Sequence, residues 1–192
     1  MPSSPRTQGS GDVLYSSATP EKPNIKKKQE PEMSKSIIFI YSYHHMNTQK
    51  IGNSIAAKLD AEIYDLNNIT EPVELETYDL VGFGAGIDSG KHYTKILKFA
   101  ETLPEVKKKK AFIFSTSAIY SEKKMLKDHK VLRNILLNKG FVIIEEFSCK
   151  GYNTNSFLKY IGGMNKGRPN EKDLKNAEAF AEKLNCLYRD GN

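Results

Sequence analysis

The chain has no tryptophan and only two cysteines, Cys149 and Cys186. They lie far apart, with no CxxC pair and no companion ligands. That excludes a disulfide scaffold and a cysteine-based metal knuckle, and it points to reduced thiols in the cytoplasm. No run of about 18 apolar residues occurs, so no membrane span is expected. No cationic stretch followed by an apolar one opens the chain, so no secretory leader is expected either. Apolar residues are few, at 39%, but the shortage is uneven. Residues 1–34 are rich in Ser, Pro, Gly, Lys and Glu and cannot bury enough surface to offset their ordering entropy. We expect a disordered N-terminal tail over 1–34 and one domain with one core over 35–192.

The formal net charge is +6. With five basic and four acidic residues in 1–34, 24 basic and 19 acidic remain beyond it, a balance of +5. The positive charge therefore belongs to the domain. Such a surface suits an acidic protein, an anionic membrane or a nucleic acid. The interleaved aromatic and basic pattern of a single-strand binder is missing, so nucleic acid is not the expected partner.

What is present is an alternation of short apolar runs and helical periodicity. Ile37 to Tyr41 is β-branched and aromatic. A polar turn follows, and then Ile51, Ile55, Ala56 and Leu59 recur at helical spacing. A strand that turns directly into a helix leaves unpaired N–H groups at the helix N-terminus, where the dipole favours an anion such as phosphate. Further strands are expected at Ala61 to Leu66, Tyr78 to Phe83, Ala111 to Ser115 and Phe141 to Phe147. Helices are expected from Lys91 to Leu103, after an N-cap at Ser121, and from Pro169 and Asn170 onward, with Gly140 ending the third. The connection over 67–76 reads as a loop. This alternation predicts an α/β doubly wound, five-stranded parallel sheet of order 2-1-3-4-5 with helices on both faces. Its ligand crevice lies beyond the C-terminal ends of strands 1, 3 and 4.

Three loops meet that edge. The first holds Ser42, Tyr43, His44, His45, Asn47 and Thr48. Its hydroxyl and amide side chains suit a phosphate cradle. Two adjacent histidines also raise a metal site, but neighbouring loop positions rarely converge on one ion and no carboxylate or cysteine stands near. The second loop holds Ala85, Gly86, Ile87 and Tyr93, with Gly84 and Gly90 beside them. Glycines here either let a flat ring approach the backbone or simply end the strand. The spacing fails the P-loop pattern, since Ala85 stands where Gly is needed and His92 where Ser or Thr is needed. It fails the dinucleotide fingerprint because Ser89 replaces the third glycine. The third loop holds Thr116, Ser117, Ala118 and Tyr120.

On Tyr41-Ser-Tyr-His-His-Met-Asn-Thr48, Tyr78-Asp-Leu-Val-Gly-Phe-Gly-Ala-Gly86, Phe114-Ser-Thr-Ser117 and Gly162-Gly-Met-Asn-Lys-Gly-Arg-Pro169, the chain resembles the flavodoxin family. The resemblance covers most of 35–187. It implies non-covalent FMN, with its phosphate on 42–48 and its isoalloxazine between the second and third loops. It also implies a flavoprotein of electron transport that serves redox partner proteins and tunes its flavin by stacking, hydrogen bonds and charge. Two features set this chain apart from the familiar pattern. The first loop has no glycine, and the domain is basic where well-known flavodoxins are acidic.

An enzyme alternative is an NAD(P)H-dependent FMN oxidoreductase acting on quinones. It needs a second pocket, for which 148–169 with Tyr152, Lys159, Lys166 and Arg168 is the candidate. A flavin-free binding module is a further alternative. A receiver-like signalling module is disfavoured, because Ser42-Tyr43-His44 and Gly84-Ala85-Gly86 stand where it needs acidic residues.

Overall fold

The computed structural model describes residues 35–68 and 73–189; the expected disordered tail, 1–34, lies outside them. β1 (Ser36–Tyr41) is buried almost throughout, as a central parallel strand covered on both faces must be. α1 (Asn47–Leu59) buries Ile51, Ile55, Ala56 and Leu59, and the left-handed Asp60 turns the chain into β2 (Glu62–Asp65). Among the described residues, the path from β2 toward the next strand contains one 3-10 turn, Leu75–Thr77.

β3 (Leu80–Asp88) and β4 (Lys91–His92) form a tight antiparallel hairpin with Ile87 opposite His92. Then come α2 (Thr94–Thr102), β5 (Lys109–Ser117), α3 (Glu122–Asn138), β6 (Phe141–Lys150) and α4 (Glu171–Arg189). The parallel order is β2-β1-β3-β5-β6, which is the expected 2-1-3-4-5 with the hairpin strand added beside β3.

One face of the sheet packs Ile38, Ile40, Phe112 and Phe114 against Ile51 and Ile55 of α1 and Ala181 and Leu184 of α4. The other packs Phe39, Val81, Phe83 and Ile113 against Ile96 and Leu97 of α2 and Leu132 and Leu136 of α3. Local signals end these elements. The Ser121 hydroxyl accepts from the Lys124 N–H at 3.2 Å and caps α3. Gly140 has φ +87°, and a Cβ there would stand 1.8 Å from the Val106 carbonyl oxygen. Asn170 and Asp173 exchange side-chain-to-backbone bonds at the start of α4, a reciprocal cap.

Two of the lysines in the run 107–110 open β5. Lys109 Nζ donates to the Tyr78 carbonyl at 2.6 Å, and Lys110 Nζ to the Tyr188 carbonyl at 3.1 Å in the last turn of α4. They brace the edge of the sheet opposite the expected crevice.

β3 runs five residues further than Phe83, and α2 starts three residues later than Lys91. The reason lies across the sheet. Gly82 pairs with Phe112 and Gly84 with Phe114. A Cβ on Gly82 would meet the Phe112 ring at 2.4 Å, and one on Gly84 the Phe114 ring at 2.0 Å. These glycines are strand residues whose missing side chains make room for aromatic rings on the neighbouring strand. Gly84→Ala should therefore destabilise the fold by about 1–3 kcal/mol through overpacking. Urea unfolding measures this, and Gly84→Ala combined with Phe114→Leu should recover part of the loss. Additive losses would refute the packing role.

Candidate functional site

The C-terminal ends of β1, β3, β5 and β6 share one edge, and a cleft opens there. It is lined by Ser42, Tyr43, His44, Asn47 and Thr48 from the first loop and by Gly86, Ile87 and Tyr93 from the β3–β4 hairpin. Thr116, Ser117 and Ala118 at the end of β5 and Gly151, Tyr152, Asn153 and Asn155 after β6 complete it. Eleven of the fourteen residues singled out from sequence line this cleft. The other three do not. Ala85 is fully buried within β3, Tyr120 is 44% exposed beside the cleft, and His45 stands behind its wall.

The first loop turns sharply without glycine. His45 and Met46 both adopt left-handed backbone, with φ 54° and 51°. Non-glycine residues hold this conformation only where their surroundings enforce it. For His45 the enforcement is visible. Its Nε2 is bonded to the Thr154 hydroxyl at 2.8 Å, and its ring lies 4.3 Å from that of Tyr152. The histidine pair thus divides: His44 faces the cleft and His45 ties the loop to the β6 wall. Among the described residues, no group of three or more His, Cys, Asp or Glu converges as metal ligands.

The start of α1 forms the floor. Asn47 N–H reaches the His44 carbonyl at 3.5 Å, Gln49 N–H the Ser42 hydroxyl at 3.3 Å, and Lys50 N–H the Met46 carbonyl at 3.1 Å. The Thr48 N–H bonds to none of the described residues. The buried Thr48 hydroxyl is bonded to that of Thr116 at 2.9 Å, linking the first and third loops. Asn47 Nδ2 donates to the Tyr152 carbonyl at 2.8 Å, which leaves its buried Oδ1 without a partner among the described residues.

Glycines make room at two points. A Cβ on Gly151 would sit 2.9 Å from Asn47 Nδ2, and one on Gly86 would sit 2.6 Å from the Tyr93 ring. Burial and the Asp88 charge raise the Tyr93 phenol above its ordinary value, so it enters the cleft as a neutral aromatic.

The residues 151–155 were the part of the lining least legible in sequence. Their signal was the length of the connection, which exceeds what a compact fold needs. Asn165 Nδ2 draws this segment in by donating to the carbonyls of Ala118 and Gly151, at 2.7 and 3.2 Å. Arg168 pairs with Asp173 at the start of α4. Cys149 is no nucleophile, since burial and the nearby Asp173 push its thiol up to about 12.

Behind the hairpin lies a buried polar network. The Ser115 hydroxyl is 2.8 Å from His129 Nε2, and His129 Nδ1 is 2.7 Å from the Glu146 carboxylate, which Arg133 also binds. The spacing resembles a serine–histidine–acid triad, but Ser115 and His129 have 0% exposure. A substrate cannot reach them, so the network is structural. A β-bulge in β6, opposite Ala111 and Phe112, makes it possible. With the extra residue, Glu145 meets Lys183 of α4 while Glu146 reaches His129 and Arg133 of α3. Burial raises the Glu146 carboxyl, but the bonds from His129 and Arg133 outweigh it and hold it below its usual range.

His92 packs against His129 with ring centroids 4.7 Å apart and planes tilted by 41°, and is itself 1% exposed. Neither of its ring nitrogens has a hydrogen-bond partner among the described residues. Burial first, then the neighbouring His129 and Arg133, lower its pKa well below the ordinary value; the Phe114 backbone opposes this only in part. The folded state therefore holds His92 neutral.

A family model described as "Flavodoxin domain" matches residues 38–182. An uncharacterized protein of Methanocaldococcus jannaschii is 46% identical over 150 residues, covering 78% of this chain and 97% of that protein. Among solved structures, the flavodoxin, WrbA-like protein of Agrobacterium tumefaciens is similar with a TM-score of 0.56 at 16% identity, over 83% of this chain and 100% of that one. Oxidised Flavodoxin 1 of Bacillus cereus is similar with a TM-score of 0.56 at 19% identity, over 78% of this chain and 96% of that one. At these identities the solved structures speak to the fold.

His92 makes the hairpin wall acid-sensitive. Its pKa is lower folded than unfolded, so its neutral form supports the fold above the ordinary value near 6.5, and that support is lost as pH falls below it. Urea midpoints taken above and below that value should drop on acidification by up to about 1.4 kcal/mol per pH unit from this group. His92→Leu should flatten that part of the fall. Parallel falls in both proteins would exclude His92 as the source.

Proposed function

Because the chain belongs to the flavodoxin domain family, we propose that it binds one FMN non-covalently in this cleft and serves as an electron carrier for partner proteins. The observation that carries this reading is the meeting of a helix N-terminus with three walls of hydroxyl, amide and glycine residues at the switch point of the sheet. The residues suit the cofactor. A phosphate needs N–H donors and a favourable dipole, which the start of α1 supplies at Thr48 without a lysine or arginine in the loop. A ribityl chain needs partners for its hydroxyls, and Asn47 Oδ1 is an unmatched buried acceptor. A flat ring needs smooth walls, which Gly86–Ile87 and Thr116–Ala118 offer between the aromatic Tyr93 and Tyr152.

When bound, FMN supplies reversible transfer of one or two electrons. The chain's own residues do the rest. Ser42 and Thr48 hold the phosphate end, Asn47 Oδ1 accepts from the ribityl chain, and Tyr93 and Tyr152 exclude water from the ring end. The four cleft segments 42–48, 84–93, 115–121 and 148–170 contain five basic residues and one acidic, with Arg168 paired to Asp173 just beyond them. Their field favours whichever cofactor state carries more negative charge. We expect a reduction potential less negative than an acidic surround would impose.

Two measurements test the reading. The purified protein should be yellow and should release FMN, not FAD, on denaturation. A colourless protein that leaves added FMN fluorescence unquenched would overturn it. Ser42→Ala combined with Thr48→Ala should weaken FMN far more than riboflavin, by roughly tenfold or more for a lost phosphate contact set. A thermal melt controls for misfolding, and equal weakening of the two ligands would move the phosphate elsewhere.

A further inference from the structure

Large apolar side chains stand exposed on the segments around the cleft. Tyr43 is 66% exposed, Ile119 60%, Ile161 68% and Tyr160 79%, with Met46, Tyr120 and Met164 also exposed. All seven sit on the segments that carry the cleft's lining residues or continue them, Tyr160 and Ile161 in the 3-10 turn Ser156–Ile161. Those segments are fastened together by the bonds His45–Thr154, Asn47–Tyr152 and Asn165–Ala118. An aromatic side chain carries roughly 150–250 Å², so at these exposures the three tyrosines alone present roughly 300–450 Å². Summed, that area is of the order of the largest apolar patch on a typical monomer, and four aliphatic and thioether side chains add to it.

The charge around this patch is mainly positive. Segments 42–48 and 115–121 contain no Lys, Arg, Asp or Glu, and 148–170 contains Lys150, Lys159, Lys166 and Arg168, of which Arg168 is paired with Asp173; Glu122 and Glu171 follow these segments beside Lys123, Lys124 and Lys172. Asp88 is the single carboxylate of the four wall segments, and Lys91 follows it closely in the same hairpin. Lys91, Lys150 and Lys166 are exposed.

We propose that the mouth of the cleft is the docking surface for an acidic electron-carrier protein that presents apolar side chains around its own redox centre. The proposal rests on the cofactor reading above, since a carrier must be approached where its cofactor lies. Charge selects the occupant. Two copies of this chain meeting mouth to mouth would juxtapose lysines, which opposes self-association. An anionic membrane would match the charge, but its hydrocarbon would cover the hydroxyl- and amide-lined centre of the patch without offering hydrogen bonds. A folded acidic partner can satisfy both the apolar rim and the polar centre, and opposite charges also speed encounter.

The test uses the full chain as purified, with a small acidic [2Fe–2S] ferredoxin as the probe and basic cytochrome c as its counterpart. Flavin content is read first by absorbance, so failure of the cofactor reading shows there and nowhere else. Binding is then measured by calorimetry and by amide chemical-shift changes, neither of which needs flavin. The expected result is ferredoxin binding that weakens steeply with salt, shift changes clustered on 43–46, 118–121 and 160–166, and weaker binding to cytochrome c. Ile119→Ser, Ile161→Ser and Lys166→Glu should each weaken ferredoxin binding by about fivefold or more without changing flavin content. The proposal is overturned by tighter binding of cytochrome c, by no salt-sensitive binding of ferredoxin, or by shift changes on another face. It is equally overturned if these variants abolish a dimer seen by sedimentation, or binding to vesicles of anionic phospholipid, while leaving ferredoxin binding intact.

Discussion

The Phe114 ring is held between two glycines. Gly84 of β3 lies beneath it, and Gly52 of α1 comes so close that a Cβ there would stand 3.3 Å from the ring and 2.2 Å from Ile40. This contact sets how near α1 lies to the sheet. The N-terminus of α1 is the floor of the cleft, so the position of Asn47 and Thr48 depends on a packing contact in the core. Side chains in a close-packed interior transmit such constraints because there is little free volume to absorb them. The cleft is in that sense a surface consequence of the way three residues from three elements fit inside.

The two faces of the sheet solve different problems. The α1 and α4 face is apolar to its end, where the Thr48 and Thr116 hydroxyls meet at the base of the cleft. The α2 and α3 face turns polar near the same edge, at Ser115, Ser148, His129 and Glu146. Hydrogen bonds there are directional and low in number, so each constrains a specific element. His129 links α3 to β5 and β6, and His92 lays the hairpin against it. The hairpin carries Gly86, Ile87 and Tyr93, so the buried network fixes one wall of the cleft as Gly52 and Gly84 fix its floor.

Much of this was legible in sequence where the signal is local. The strand, turn and helix of 37–52 announce themselves by a change of period, and Ser121 and Gly140 by what they do for a helix end. The glycines of β3 were not legible. Their low strand propensity reads as loop punctuation, and the phenylalanines that justify them lie thirty residues onward on another strand. The bulge that aims Glu146 is likewise a property of pairing, not of β6 alone. Residues 151–155 reach the cleft through bonds from Asn47 and Asn165, which no periodicity encodes.

The missing glycine in the first loop shows how tertiary contacts can replace a local rule. A left-handed turn is ordinarily left to glycine because a Cβ there is unfavourable by about 1–2 kcal/mol per residue. Here two successive residues accept that conformation, and both have work that glycine lacks the atoms to do. His45 binds Thr154 and packs its ring against that of Tyr152, joining the first wall of the cleft to the last. Met46 puts an exposed thioether on the apolar rim. With glycine at these positions the turn would form more easily, but the wall would lose its fastening and the rim one of its contacts. The bulky loop is therefore better understood as the join between a polar cradle and an apolar mouth than as a degraded version of a glycine-rich one.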